Sequence, residues 1–185
     1  MIAGRIKYYF AKLLSLKNID FHPVYYRISS IDAEKQTVIL HIIHKSIFIT
    51  LTFAEIISDS EIIEGLSCQH ACWVGVHYGK ALRLALDGKS HLKNIKKPSY
   101  LLKHKYGQYK ITGENRDGMI TCLHVKTKKE LTIHPVSIAK DELFMNHFDA
   151  NQACYIGMLA GMAIGKKQSP SAEKQSSVPY LRVVR

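Results

Sequence analysis

Three stretches near the start of the chain, 24–31, 36–44 and 47–52, are rich in Ile, Val, Tyr, Phe and Thr and alternate partly between apolar and polar positions. A two-residue period in such residues predicts β-strands. The pattern returns near 106–112, 119–126 and 130–134, with Asn115, Arg116, Asp117 and Gly118 between the first two. Asp followed by Gly tolerates the left-handed backbone of a tight turn and so marks a hairpin. After each set of strands a short helical turn is expected, near 53–64 and 136–146, and then a long helix. Ser67 and Asp149 have N-cap side chains, and Gln152 follows Asp149 at capping-box spacing. Asp87 and Gly88 suit the end of the first long helix, and Gly165 the end of the second. Ahead of the strands, Ile2, Ile6, Tyr9, Phe10, Leu13 and Leu14 recur at helical spacing, with Arg5 and Lys12 off that face.

The two sets of elements also match residue by residue. Ala71-Cys72-Trp73-Val74-Gly75 aligns with Ala153-Cys154-Tyr155-Ile156-Gly157, and Gly79 with Gly161. Upstream, Asp59 faces Asp141 and Ser67 faces Asp149. Further upstream the register slips by one residue, so that Tyr26-Arg27-Ile28 matches Tyr109-Lys110-Ile111 and Leu40-His41 matches Leu123-His124. A changed hairpin turn would produce that slip. The expected fold is therefore α+β: an N-terminal helix followed by a tandem duplication of a βββα unit about a pseudo-twofold axis. The expected boundaries are 1–20 for the amphipathic helix, 21–88 for the first unit and 89–105 for a basic connector. The second unit follows at 106–165, then a flexible tail at 166–185.

Small residues form a strip on each long helix. Ala71, Gly75 and Gly79 recur every four residues, as do Ala153, Gly157, Gly161 and Gly165. Glycine inside a helix costs about 1 kcal/mol relative to alanine, so its repetition asks for a packing reason. A strip without side chains lets another backbone come close. The helix–helix interface is thus expected at Ala71, Cys72, Gly75, Gly79, Ala153, Cys154, Gly157 and Gly161.

Charge changes the picture in the second half. The net charge is +11. Residues 1–92 carry ten basic and eight acidic side chains; residues 93–185 carry sixteen and seven. Between Lys89 and Lys110 there are seven lysines and no acid. Lys89, Lys93, Lys96, Lys97, Lys103 and Lys105, interleaved with Tyr100 and Tyr106, could neutralise phosphates and offer faces for base stacking. Arginine, the usual reader of base edges, is scarce there.

No catalytic signature stands out. Cys68, His70, Cys72 and His77 are the nearest approach to a metal set, but His70 falls off the helix face that Cys68 and Cys72 share, so neither metal nor cofactor is expected. Cys72 and Cys154 on a packed face would be unreactive. His41 and His124 recur on strands, and a pocket lined by them or by the cysteines would favour a small-ligand sensor or an enzyme. The longest apolar run, Ala153 to Gly165, is too short for a transmembrane helix. With no secretory signal, a cytoplasmic location is expected. The stretch 2–17 could meet a membrane surface, and Tyr180–Arg185 could add a strand to a sheet edge. The order of elements resembles that of bacterial secretion chaperones, a likeness of order without a shared motif. These features favour a non-catalytic binding or adaptor protein, a component of a larger bacterial protein assembly. A nucleic-acid binder ranks second, and a sensor or enzyme at the duplicated interface third.

Overall fold

The computed structural model describes residues 24–88 and 98–167. The expected N-terminal helix, the connector lysines Lys89, Lys93, Lys96 and Lys97, and the tail beyond 167 lie outside the described residues. The fold is α+β, with two three-stranded antiparallel sheets and helices. The first sheet is β1 (Tyr26–Asp32), β2 (Thr37–Ile42) and β3 (Ile47–Thr52). Helices α1 (Phe53–Ser58), α2 (Ser60–Glu64) and α3 (Cys68–Leu86) follow. A 3-10 turn at Ser99–Leu102 leads into β4 (Tyr109–Glu114), β5 (Ile120–His124) and β6 (Glu130–Ile133). Helices α4 (Pro135–Lys140), α5 (Glu142–Met145) and α6 (Ala150–Lys167) complete it.

Each expected helical turn is in fact two short helices, broken at an aspartate. Asp59 ends α1 and caps α2 with its carboxylate on the Glu61 and Ile62 amides. Asp141 ends α4 and caps α5 on the Phe144 amide. A short carboxylate in extended backbone satisfies the orphan N–H groups of the next turn better than it continues the previous one. The long helix α3 starts at Ser67, whose hydroxyl accepts from the His70 amide. It ends at Asp87, and Gly88 takes the left-handed conformation expected after a helix (φ 69°). Gly165 does not end α6, which runs on to Lys167.

The two sheets are wired alike. Tyr25 and Tyr26 both donate to the Gly65 carbonyl (2.8 and 2.9 Å), and Gln108 and Tyr109 both donate to the His147 carbonyl (2.8 and 3.1 Å). These bonds tie the start of the first strand to the residues just before the long helix. Each first strand carries a register shift, between Ile28 and Ser30 and between Ile111 and Gly113. The pairing also corrects the residue match read from sequence. Ile28 faces Leu40, whereas Ile111 faces Cys122. The one-residue slip therefore ends in the first hairpin, and the position like that of His41 is Leu123, not His124. Leu40 and Cys122 both lie in the core.

Helices α3 and α6 make the most extensive contact between any two elements. Val74, Tyr78, Ile156 and Met158 join Val38, Leu40, Ile120 and Cys122 in a single core cluster that spans both sheets.

Candidate functional site

The helix crossing is built from glycine. A Cβ on Gly75 would collide with the Cys154 carbonyl, and one on Gly157 with the Cys72 carbonyl. One on Gly79 would strike the Met158 carbonyl, and one on Gly161 the Val76 carbonyl. The contacts are reciprocal along both helices. Ala71, Ala153 and Cys154 are fully buried and Cys72 nearly so. No space for a ligand remains where two backbones touch, so this is a framework and not a pocket.

The thiols are sequestered. Burial raises the Cys72 pKa to about 12, and burial with the nearby Asp149 raises that of Cys68 to about 11. Burial raises Cys154 as well. Cys68 donates its thiol proton to the Phe148 carbonyl at 3.2 Å. Thiols held protonated are poor nucleophiles. His77 stacks on Phe53 with ring centroids 5.0 Å apart and packs on Trp73 at 4.4 Å. Burial and Lys80 depress its pKa to about 4. Among the described residues no three of His, Cys, Asp and Glu are grouped as metal ligands.

The described part of the connector is built into the fold. The Tyr100 hydroxyl donates to the Ile57 carbonyl. The Tyr106 hydroxyl accepts from the Ala150 amide at 3.5 Å, and burial raises both phenols. Lys105 pairs through Nζ with Glu64 at 2.6 Å, and its amide donates to the Asp149 carboxylate at 2.9 Å. Lys103 is exposed. The N-terminus of α6 is thereby closed. Asp149, fully buried, also accepts from the Gln152 amide at 2.8 Å. Its pKa is raised by burial, against the opposing hydrogen bonds. The Gln152 side chain does not reach back to complete a capping box. Oriented to satisfy its surroundings, its amide donates to the Tyr109 carbonyl (3.1 Å) and accepts from the Ile111 amide (3.0 Å) on β4. Asn151 donates to Glu64 at 3.2 Å.

The N-terminus of α3 differs. Beside it opens a cavity of about 480 Å³ lined by Val24, Arg27, His41, Ile43, Ser67 and His70. Arg27 and His41 are cross-strand partners, as are His41 and Phe48, so all three project from one face of the first sheet. His41 stacks on Phe48 at 4.7 Å. That face carries exposed Tyr25 (49%), Ile43 (43%) and Phe48 (59%). Of this set the sequence named His41 as a candidate pocket residue, Ser67 as an N-cap and His70 only within a dismissed metal set. Arg27 and His70 lie forty-three residues apart in the chain, and only the strand–helix contact joins them. His41 and His124 do not meet: His124 accepts from the Thr127 amide at 3.1 Å and packs edge-on against Tyr109 in the second sheet.

No protein-family model matches the chain, and no curated protein or solved structure matches it either. Among the described residues no helix is long and apolar enough to cross a membrane.

Proposed function

We propose that the protein is a non-catalytic binding or adaptor protein, a tandem duplication of a βββα unit whose first sheet presents its outer face to a protein partner. The observation that carries this reading is the exposed set Tyr25, Ile43 and Phe48 on that face. Grouped aromatic and aliphatic side chains left in water favour a protein partner over a solvated role. The matched strand-to-helix hydrogen bonds, the paired register shifts and the reciprocal glycine contacts support the duplication. They also support a pseudo-twofold relation between α3 and α6. The order of elements, which resembles that of bacterial secretion chaperones, favours an assembly component in a bacterial cytoplasm. Nucleic-acid binding through the connector ranks lower, because Tyr100 and Tyr106 engage their hydroxyls inside the fold and Lys105 pairs with Glu64.

The test is an affinity capture from the native cell with nuclease treatment, at low and high salt. Wild type is compared with Phe48→Asp and with Leu143→Asp, a control at an exposed site on α5. A protein captured by wild type and by Leu143→Asp, but lost with Phe48→Asp, is the expected result. Capture that vanishes with nuclease, or that ignores Phe48→Asp, overturns the reading.

A further inference from the structure

We infer that the cavity at Arg27, His41 and His70 takes the carboxylate of an acidic residue in a partner protein, with that residue's apolar neighbour covering Val24 and Ile43. This deepens the adaptor reading and rests on it. Among the described residues the cavity lining holds one guanidinium and two imidazoles, and no acid. Burial, and then the nearby Arg27, lower the His70 pKa, so the imidazole stays neutral beside the guanidinium. His70 Nδ1 is shut away from solvent without a hydrogen-bond partner, a state that costs free energy until an outside group completes it. The fork of Arg27 can donate to both oxygens of an incoming carboxylate, and a turn of the His70 ring would bring its buried Nδ1 to the same group.

The other half of the molecule shows what such a place looks like when it is complete. At α6 the chain supplies its own carboxylate, Asp149, with the Lys105 and Gln152 amides on it, and the Gln152 side chain fills the gap to β4. At α3 the same positions hold Ser67 and His70, and the gap is open toward Arg27 and His41. The first half thus presents a guanidinium and imidazole donors where the second presents a built-in acid. The apolar share of the lining, Val24 and Ile43, selects a peptide over a phosphodiester. A phosphodiester would leave those two side chains uncovered, while an acid next to an aliphatic residue covers them and reaches Phe48 through His41.

The experiment follows the imidazole signals of His41 and His70 by NMR in the full chain. The probes are a short amidated peptide alternating aspartate and leucine, its asparagine counterpart, and inorganic phosphate. Saturable shifts of both signals with the aspartate peptide are expected. The asparagine peptide should bind at least about tenfold more weakly, and so should the aspartate peptide on Arg27→Glu. Arg27 is exposed on an edge strand, so circular dichroism should show the variant folded; Arg27→Gln, with an intermediate loss, serves as the second variant. Equal binding of the two peptides, phosphate saturating the signals as tightly as the peptide, or no saturable shift would overturn the assignment. So would movement of these signals by Asp20→Asn, which would put the chain's own acid in the cavity. Capture of a partner that depends on Phe48, without any peptide shift, sinks the carboxylate assignment and leaves the adaptor reading standing.

Discussion

Residues 24–88 and 98–167 solve the same construction problem and finish it differently. Each hangs a three-stranded sheet on the residues before a long helix by two amides on one carbonyl. Each breaks its short helices at a capping aspartate. The second region then closes its helix start with Asp149, Gln152 and the approach segment around Lys105. The first caps with a serine and leaves a cavity beside it. Backbone-level features repeat, whereas side chains that decide whether a helix start is sealed or open do not. The difference separates a sealed helix start from one that opens on a cavity.

The largest effect should come from the shared framework. A valine at Gly157 must push α6 away from the Cys72 carbonyl, since even its Cβ would lie 3.0 Å from Cys72 Cα while overlapping the carbonyl carbon and oxygen. Gly157→Val should cost on the order of 4 kcal/mol or abolish folding, read by urea denaturation. The sealed helix start comes next. Asp149→Ala strands the Lys105 and Gln152 amides in a buried place and should cost about 2–3 kcal/mol. Ser67→Ala, at the open start, removes a single cap bond and should cost about 1 kcal/mol. Equal costs would erase the distinction between the two helix starts.

A pH effect of smaller size belongs to the first region. The folded pKa of His77 is depressed to about 4 from 6.5, so between those values the unfolded chain binds more protons. Stability should therefore rise with pH across roughly 4 to 6.5 and fall as acid is added. Its contribution is about 1–2 kcal/mol after allowing for solvent screening of a half-buried ring. His77→Phe should flatten that part of the pH profile of thermal unfolding. Asp149, with a raised pKa, acts in the opposite direction above 3.8, so comparing His77→Phe with wild type isolates the histidine. The smallest effect is expected at Gly113, where an added Cβ meets nothing within 4 Å. Gly113→Ala should change stability by no more than about 0.5 kcal/mol, in contrast with glycines of the crossing.

Local chemistry made much of the framework legible. Alternating β-branched residues marked the strands, and four-residue glycine spacing put the small residues of each long helix on one face. Capping side chains marked where the helices begin. The short-helix breaks were missed, because an aspartate that ends one turn and caps the next reads as polar surface. The match of His41 with His124 failed because similar dipeptides sit one step apart in strands whose pairing the hairpin turn had already shifted. The cavity was out of reach for another reason. Arg27 is unremarkable on its strand, His70 read only as a histidine off the cysteine face of its helix, and nothing short of the packing of β1 beside the start of α3 brings them to one place. Tyr100 and Tyr106 looked like free stacking faces because sequence does not show that their hydroxyls have partners in the Ile57 carbonyl and the Ala150 amide.

The close approach of the two long helices can be measured without altering the chain. In a deuterated sample with protonated glycine and cysteine, cross-relaxation should connect the Gly157 α-protons with that of Cys72, and the Gly75 α-protons with that of Cys154. Both connections are required by the reciprocal contacts. Cross-peaks confined within each helix, with neither inter-helix pair present, would contradict the account.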